Sequence, residues 1–196
     1  IPDKIYGRDI GSNYQEQTGP RVSKHFKGFD FETAARNHNK LSRIVLVQDA
    51  KILKRSMQIS EGFEPIRPGD RENLIATIEK GFFHSRYDCE EDELVLQAVP
   101  YVLVFRKNDV FSYIRTESKK DYGDTRLLGK HSIGVGGHVT MEDAPNYIKR
   151  CLERETIEEV KFEGKIGTPK LIGKLFARAR PVDRVHYGLI YAIHTN

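Results

Sequence analysis

Three glutamates crowd the end of one short segment of the sequence. In RETIEEV, residues 154–160, the acids Glu155, Glu158 and Glu159 are spaced so that a helix would bring them to one side. Such spacing puts their carboxylates within about 100° of arc. Because the C-terminal end of a helix disfavours negative charge by about 0.3–1 kcal/mol per exposed group, we expect a cation to offset the cluster.

Two kinds of cation fit these acids. Arg154 lies four positions before Glu158 and could pair with it, as in a salt-bridged surface helix. Alternatively, Gly134, Gly136 and Gly137 form a bend before the helix, and such a bend lets backbone oxygens approach a ligand closely. Carboxylate and backbone oxygens bind Mg²⁺ or Mn²⁺, which hold substrate phosphates in their remaining positions. The combination of bend and acids favours the metal.

Hydrophobic periodicity predicts the elements that must position these acids. The first elements are a strand over 42–53, a helix over 69–83 with Leu74, Ile75, Ile78 and Phe82 on its apolar face, and an acidic loop over 88–93. A hairpin over 98–117 that turns at 107–109 follows, and then a strand over 127–139 that enters the glycine bend. The last elements are a helix from Pro145 with Asp143 as its N-terminal cap and two strands after Val160 around a basic loop. Strands outnumber helices, which indicates an α+β or α/β class with a mixed sheet and helices packed on it.

The length of 196 residues suits one domain with an extension. Residues 1–40 are polar without an apolar period, so we predict an N-terminal extension there and a domain over 41–196. Within it, 41–96 supplies a preceding strand and helix, and 97–196 supplies the core. No apolar run reaches the roughly 20 residues of a membrane helix. Cys89 and Cys151 have no paired spacing, which favours a reducing cytoplasm.

The charge balance gives a net charge of +4, which favours polyanionic ligands without indicating nucleic acid. The surplus is concentrated between Lys165 and Arg184, which forms either a phosphate-facing edge or a solvated loop. The 7 histidines have no HxH or HExxH spacing, so zinc chemistry has no support in the sequence. His186, inside an apolar strand, is predicted to be a core histidine.

The segment RETIEEV, together with the glycines at 136 and 137, resembles the Nudix box, G-x(5)-E-x(7)-R-E-U-x-E-E-x-G-U, in which U is aliphatic. The R-E-x-x-E-E core is intact. The segments VPYVLVFRKNDVFSYIR, GKHSIGVGGHV and VHYGLIYAI are similar to a bacterial and phage branch of that family, the MutT-like phosphoesterases. The resemblance covers 41–196, with the box at 136–162. It implies a Nudix-type α/β/α sandwich with a mixed β-sheet. The protein is expected in the cytoplasm, or in the host cytoplasm if it is phage-encoded.

The sequence departs from the strict box in three places. Sixteen residues separate Gly137 from Arg154 where the pattern has thirteen, so the first glutamate of the box has no fixed counterpart. Glu142 and Asp143 are the nearest acids. In addition, Thr156 replaces an aliphatic residue and a lysine at 161 replaces the closing glycine. None of these changes affects the three glutamates.

The resemblance implies a pyrophosphohydrolase that cleaves the diphosphate of a nucleoside diphosphate linked to another group. Mg²⁺ or Mn²⁺ would be bound by Glu155, Glu158, Glu159 and the carbonyl oxygen of Gly136. Arg154 would orient the glutamates, and either Glu155 or Glu158 would be the general base. The expected partner is a nucleotide-derived small molecule, and the oligomeric state is left open.

Three further residues are candidates for substrate contacts, namely Arg115, Arg126 and His138. The alternative function is a non-catalytic Nudix-fold module that binds a nucleotide or RNA as a regulator, but the intact R-E-x-x-E-E core favours catalysis. A proline or tyrosine found 15 to 18 residues past the box in some family members is absent here, where the window is 176–179. The sequence therefore names no substrate.

Overall fold

The computed structural model describes residues 43–57, 59–114, 129–162 and 166–195. The predicted extension at 1–40 lies outside the described residues, as do Arg115 and Arg126. None of the helices in the described ranges is both long and apolar enough to span a membrane.

The described residues form ten strands and five α-helices, most of them short. The strands are β1 (Ile44–Asp49), β2 (Gly62–Pro65), β3 (Phe82–Ser85), β4 (Val95–Arg106), β5 (Asp109–Val110), β6 (Tyr113–Ile114), β7 (His131–Ser132), β8 (Val135–Gly136), β9 (Lys170–Phe176) and β10 (His186–Thr195). The α-helices are α1 (Ala50–Met57), α2 (Arg71–Glu79), α3 (Arg86–Cys89), α4 (Tyr147–Glu159) and α5 (Pro181–Arg184), and short 3₁₀ turns cover Pro68–Asp70 and Met141–Asp143.

One mixed sheet contains all of these strands except β6 and β7, which pair with each other in a separate two-stranded antiparallel sheet. The strand order of the mixed sheet is β2-β9-β10-β4-β1-β3, with β5 and β8 also paired to β4. The long central strands β4 and β10 are parallel, with Gln97 opposite His186 and Arg106 opposite Thr195. The other pairs are antiparallel. The predicted mixed sheet with helices is confirmed.

Side chains alternate across the sheet and build a core on each face. One face, here called the α4 face, carries the main core, to which β1, β4 and β10 contribute Leu46, Leu96 and Leu189. Helix α4 adds Ile148, Cys151 and Leu152 to this core, and α1 and α2 also pack there. Full burial of a leucine or isoleucine side chain contributes about 1.5–3 kcal/mol, so this stripe fixes α4 on the sheet.

The opposite face, here called the α3 face, carries a smaller core. It consists of Val45 and Val47 from β1, Val95 from β4 and Cys89 from α3. Gln97 is fully buried and donates from Nε2 to the carbonyl oxygen of Cys89 at 3.4 Å. Helix α3 is thereby attached to β4.

The predicted strand over 42–53 is wrong after Asp49. The Asp49 Oδ1 atom accepts the backbone N–H groups of Lys51 at 2.6 Å and Ile52 at 3.2 Å. A carboxylate that accepts the first N–H groups of a helix is an N-terminal cap. Residues 50–53 therefore begin α1.

The predicted helix over 69–83 ends earlier than expected. Leu74 and Ile78 are buried as predicted, but Phe82 and Phe83 belong to β3, which pairs with β1. A Cβ atom added at Gly81 would lie 2.1 Å from the Val47 carbonyl oxygen, so only glycine permits the chain to turn so close to β1. The acidic loop predicted over 88–93 also begins within α3.

The hairpin predicted over 98–117 is confirmed at its turn. Phe105 pairs with Val110 and Arg106 pairs with Asp109, which leaves Lys107 and Asn108 as the turn. Lys107 has a positive φ of 54°, as tight hairpin turns require. The two predicted strands after Val160 are also confirmed as β9 and β10.

The start of α4 differs from the prediction. Helix α4 begins at Tyr147, after Pro145, and the Asp143 side chain does not cap it. Instead, Glu79 at the end of α2 accepts the backbone N–H of Ile148 through Oε1 at 3.0 Å. A carboxylate there offsets the positive N-terminal dipole, so the cap is supplied by another helix.

Candidate active site

Asp143 and Arg154 form a two-pronged ion pair. Arg154 donates from Nε to Oδ1 and from Nη2 to Oδ2 of Asp143, both at 3.0 Å. Asp143 is buried, and its Oδ2 atom also accepts the Thr140 backbone N–H at 2.9 Å. Planar, charge-assisted pairs of this kind fix geometry as well as charge. Asp143 therefore sets the position of the Arg154 guanidinium.

The spacing of Asp143 from the glycine bend is itself a sequence signal for this contact. Five residues separate it from Gly137, which is the spacing of the first glutamate in the Nudix box. The three additional residues therefore lie between Asp143 and Arg154. Of the two acids left open by the sequence, Asp143 contacts the arginine, whereas Glu142 is exposed.

Arg154 connects Asp143 to the glutamates of α4. Its Nη1 atom lies 2.5 Å from Glu155 Oε1 and 3.7 Å from Glu158 Oε2. The hydrogen bond that Arg154 donates to Asp143, followed by the one that it donates to Glu155, raises the pKa of Arg154 above its ordinary value. The predicted pairing of Arg154 with Glu158 is present, but it is the longest of these contacts.

Glu155 is a buried carboxylate placed against the glycine bend. A Cβ atom at Gly137 would lie 2.2 Å from the Glu155 carboxyl carbon, so the absence of a side chain at 137 makes room for the acid. Burial raises the pKa of Glu155, and Arg154 offsets this only in part. The negative charge is therefore incompletely compensated by the surrounding protein.

The carbonyl oxygens of the bend are also held by α4. The Cys151 thiol donates to the Gly137 oxygen at 3.7 Å, and Arg154 Nη2 donates to the His138 oxygen at 3.2 Å. Gly136 belongs to β8, where a Cβ atom would lie 2.2 Å from the Pro100 oxygen. Glycine is thus required at 136 for β8 to pack against β4.

The remaining two glutamates lie at the surface. Glu158 has a side chain that is 59% exposed, and Glu159 is exposed as the last residue of α4. A cleft of about 410 Å³ opens beside Glu158, and its lining consists of Arg43, Ile44, Thr140, Met141, Glu142, Arg154 and Glu158. Arg154 and Glu158 therefore reach a space of ligand size, next to the buried Glu155.

Four basic side chains of the segment that ends at Arg184 are paired with acids. Lys174 Nζ lies 2.8 Å from Glu64, and Arg180 pairs with Asp183 at 2.8 Å. Two further arginines at 178 and 184 lie 3.2 and 3.5 Å from Glu93. These contacts favour the solvated, salt-bridged surface over the phosphate-facing edge.

Comparison with known proteins supports a common fold. No family model matches the chain. YmaB of Bacillus subtilis (strain 168) is 33% identical over 127 residues, which cover 61% of this chain and 60% of YmaB, less than two thirds of that relative. The crystal structure of Tm1382, a candidate Nudix hydrolase, superimposes with a TM-score of 0.63 at 25% identity, covering 78% of this chain and 76% of Tm1382. The chain thus has a fold similar to that of this candidate Nudix hydrolase.

The acids of α4 fit a divalent cation. Glu155 and Glu158 both approach the Nη1 atom of Arg154, which brings their carboxylates to one region of the site. Carboxylate oxygens are the donors that Mg²⁺ and Mn²⁺ prefer. A buried carboxylate whose charge is only partly offset also suits a nearby cation.

A second group of candidate ligands lies elsewhere in the Nudix fold and was missed by sequence reasoning. The ligand atoms of Glu90, His138 and His186 all lie within 4.8 Å of one another, and in the described ranges this is the one such group of three. His186 is half-buried and contacts His138, which is a different environment from the predicted core histidine. The three residues of this second group are too far apart in the sequence for any local motif to reveal them.

Proposed function

We propose that the protein is a Nudix hydrolase that cleaves the diphosphate bond of a nucleoside diphosphate linked to another group. The observation that carries this proposal is the fixed arrangement of Asp143, Arg154 and Glu155 beside Glu158. An intact R-E-x-x-E-E core held by a partly buried ion pair is an organised catalytic arrangement. Similarity to Tm1382 supports a hydrolase of this fold.

The proposed cofactor is Mg²⁺ or Mn²⁺. Its ligands would be the carboxylates of Glu155, Glu158 and Glu159 together with the carbonyl oxygen of Gly136. When bound, the ion would neutralise charge on the phosphate oxygens and lower the pKa of a coordinated water.

The other roles in the proposed reaction belong to residues of the chain itself. Arg154 is a positioning residue, because Asp143 fixes it and it in turn fixes Glu155. Glu155 lies between Gly137 and the Arg154 guanidinium. Glu158 is exposed at the cleft and less tightly held, so we assign it as the general base that removes a proton from the attacking water.

The cleft supports a nucleotide-derived substrate. Its volume of about 410 Å³ falls in the usual range for small-molecule sites. Arg43 in its lining supplies a cation for a phosphate group. The predicted phosphate contacts of Arg115 and Arg126 remain predictions, and the His138 side chain is directed instead toward His186. Cys89 and Cys151 are free thiols, which fits the proposed cytoplasmic location.

The proposal is tested by incubating the full chain and Mg²⁺ or Mn²⁺ with nucleotide sugars, dinucleotides, ADP-ribose, nucleoside triphosphates and capped RNA. The Glu158→Gln variant removes the proposed base, and Glu153→Gln is its matched control, because Glu153 is 55% exposed on the same helix. We expect Glu158→Gln to lower kcat by about 100-fold or more and the control to keep activity.

Two results would refute the hydrolase. One is that the parent protein cleaves no member of the panel, and the other is that both glutamate variants are equally active. If a nucleotide or RNA binds without being cleaved, the non-catalytic regulatory module becomes the better description.

A further inference from the structure

The cluster of Glu90, His138 and His186 lies on the α3 face, across the sheet from the Nudix glutamates. Gly137 faces Glu155 on the α4 face, so the next side chain, His138, is directed to the other side. Similarly, Tyr187 belongs to the α4-face core, and its neighbour His186 is directed away from it. The cluster and the proposed catalytic acids are therefore separate sites.

The three side chains are close together and partly shielded. His138 Nε2 lies 2.9 Å from His186 Nε2, and the Glu90 carboxylate completes a group within 4.8 Å. The side chain of Glu90 is only 13% exposed, and Arg86 donates to its Oε1 atom from Nε at 3.1 Å. The carboxylate is thus held in place by a partner outside the cluster.

The hydrogen bond behind His186 determines how its ring faces the cluster. His186 Nδ1 lies 2.6 Å from the Val182 carbonyl oxygen. A carbonyl oxygen only accepts hydrogen bonds, so Nδ1 carries the proton and, in the neutral ring, Nε2 presents its lone pair to the cluster. Metal-binding histidines are oriented in this way, with the second ring nitrogen donating to a carbonyl or carboxylate.

We propose that Glu90, His138 and His186 bind a divalent transition metal of the zinc type, with a fourth position left for water. Two imidazoles and one carboxylate are a recognised zinc ligand set, whereas Mg²⁺ prefers oxygen donors alone. Tetrahedral zinc requires its two nitrogen ligands to be roughly 3.3 Å apart, so the rings need to separate only slightly. On binding, the proton on His138 Nε2 moves to Nδ1 of the same ring.

This site has a structural consequence that does not depend on the proposed hydrolysis. Its ligands come from the residue that follows α3, from the glycine bend and from the start of β10. A bound ion would join three segments that are distant in the sequence. It would stabilise the folded chain, since a ligand that binds only the native state raises the free energy of unfolding.

The test is a calorimetric titration of the chelator-treated full chain with Zn²⁺ in excess Mg²⁺, which keeps the acidic site saturated. Co²⁺ serves as a second probe because its visible absorption reports four-coordinate geometry. We expect one Zn²⁺ per chain and a higher Tm with Zn²⁺ present. His138→Ala should weaken binding by more than about 100-fold, since loss of an outer partner alone costs up to about that much.

Two variants keep the test informative. Glu90→Gln retains an acceptor for Arg86 and replaces His138→Ala if the latter does not fold. His131→Ala is the matched control, because His131 is exposed and lies outside the cluster. The site is disproved if the parent binds no stoichiometric Zn²⁺, or if His131→Ala weakens Zn²⁺ binding as much as His138→Ala does. It is also disproved if Glu158→Gln abolishes binding, which would place the ion on the α4 acids.

Discussion

Asp143 and Arg154 are joined by two hydrogen bonds of 3.0 Å, although they come from a 3₁₀ turn and from the middle of α4. The pair is the link between the glycine bend and the glutamates, because the same guanidinium also contacts Glu155 and the His138 carbonyl oxygen. A buried ion pair contributes mainly through the cost of leaving one partner alone. Asp143 is therefore the residue to test first.

Replacing Asp143 with alanine should be costly for both stability and activity. The change leaves Arg154 without its main partner, so we expect the free energy of unfolding to fall by about 3 kcal/mol. Urea denaturation measures this quantity, and kcat/KM on a cleaved substrate should fall as well. Glu142→Ala is the control because Glu142 is the exposed neighbouring acid. Equal losses of stability and activity in Asp143→Ala and Glu142→Ala would contradict the assignment of Asp143 to the first acid of the box.

Gly137→Ala should impair activity more than stability. The added methyl group meets the end of the Glu155 side chain, which can move away at little cost in folding energy. Displacing a catalytic carboxylate by about 1 Å costs on the order of 100-fold in rate. We therefore expect kcat/KM to fall by about 100-fold while the free energy of unfolding changes by less than about 1 kcal/mol.

Gly69→Ala is the control for that change, because a Cβ atom at 69 has no neighbour within 4 Å. Gly136→Ala offers a contrast, since its methyl group meets the rigid Pro100 carbonyl oxygen and should reduce stability by about 1–3 kcal/mol. A Gly137→Ala protein with full activity would show that the position of Glu155 is not critical.

Glu79→Ala should destabilise α4 although Glu79 belongs to α2. The change removes the acceptor for the Ile148 N–H, and loss of an N-terminal cap costs about 1 kcal/mol. Chemical denaturation provides the measurement, with Glu72→Ala on the exposed side of α2 as the control. If the two variants are equally stable, the cap between the helices makes no contribution.

The ion pair between Glu64 and Lys174 should make stability depend on pH. The hydrogen bond from Lys174, assisted by Ser60, lowers the pKa of Glu64 below its ordinary value of 4.5. A lowered carboxyl pKa stabilises the fold above the ordinary pKa, and this contribution is lost as the pH falls through the lowered one. Glu64→Gln should thus be less stable than the parent by about 0.5–1 kcal/mol at neutral pH.

The measurement is a series of denaturation curves between neutral and acidic pH. The difference between the parent and Glu64→Gln should shrink as the pH falls from the ordinary pKa through the lowered pKa, and should vanish below it. Glu91→Gln is the control because Glu91 is exposed. A difference that stays constant over the whole range would mean that the charge of Glu64 is not involved.

The sequence predicted those parts of the fold that depend on neighbouring residues. The hairpin turn at Lys107 and the buried stripe of Leu74 and Ile78 follow from local pattern, and both are confirmed. The wrong predictions concern the ends of helices and strands, because contacts with residues distant in the sequence determine where an element begins or ends. The start of α4 is capped by Glu79, which is 69 residues away from Ile148. No local rule could supply that partner.

In the candidate site, too, the sequence predicts the contacts between neighbouring residues and misses those between distant ones. The contact between Arg154 and Glu158 follows from helical spacing, and the spacing from Gly137 identifies Asp143 once the extra residues are placed after it. The cluster of His138 and His186 has no such signal, because its members are 48 residues apart and meet only when β10 lies beside β4.

The parallel pairing of β4 with β10 also determines the order in which the molecule can be completed during synthesis. A nascent chain that has reached Arg184 already contains the glycine bend and α4, yet β4 still has one open edge because its partner begins at His186. Unpaired edges of long apolar strands promote aggregation, and contacts between distant residues form slowly. Emergence of β10 from the ribosome is therefore the event that closes the centre of the sheet.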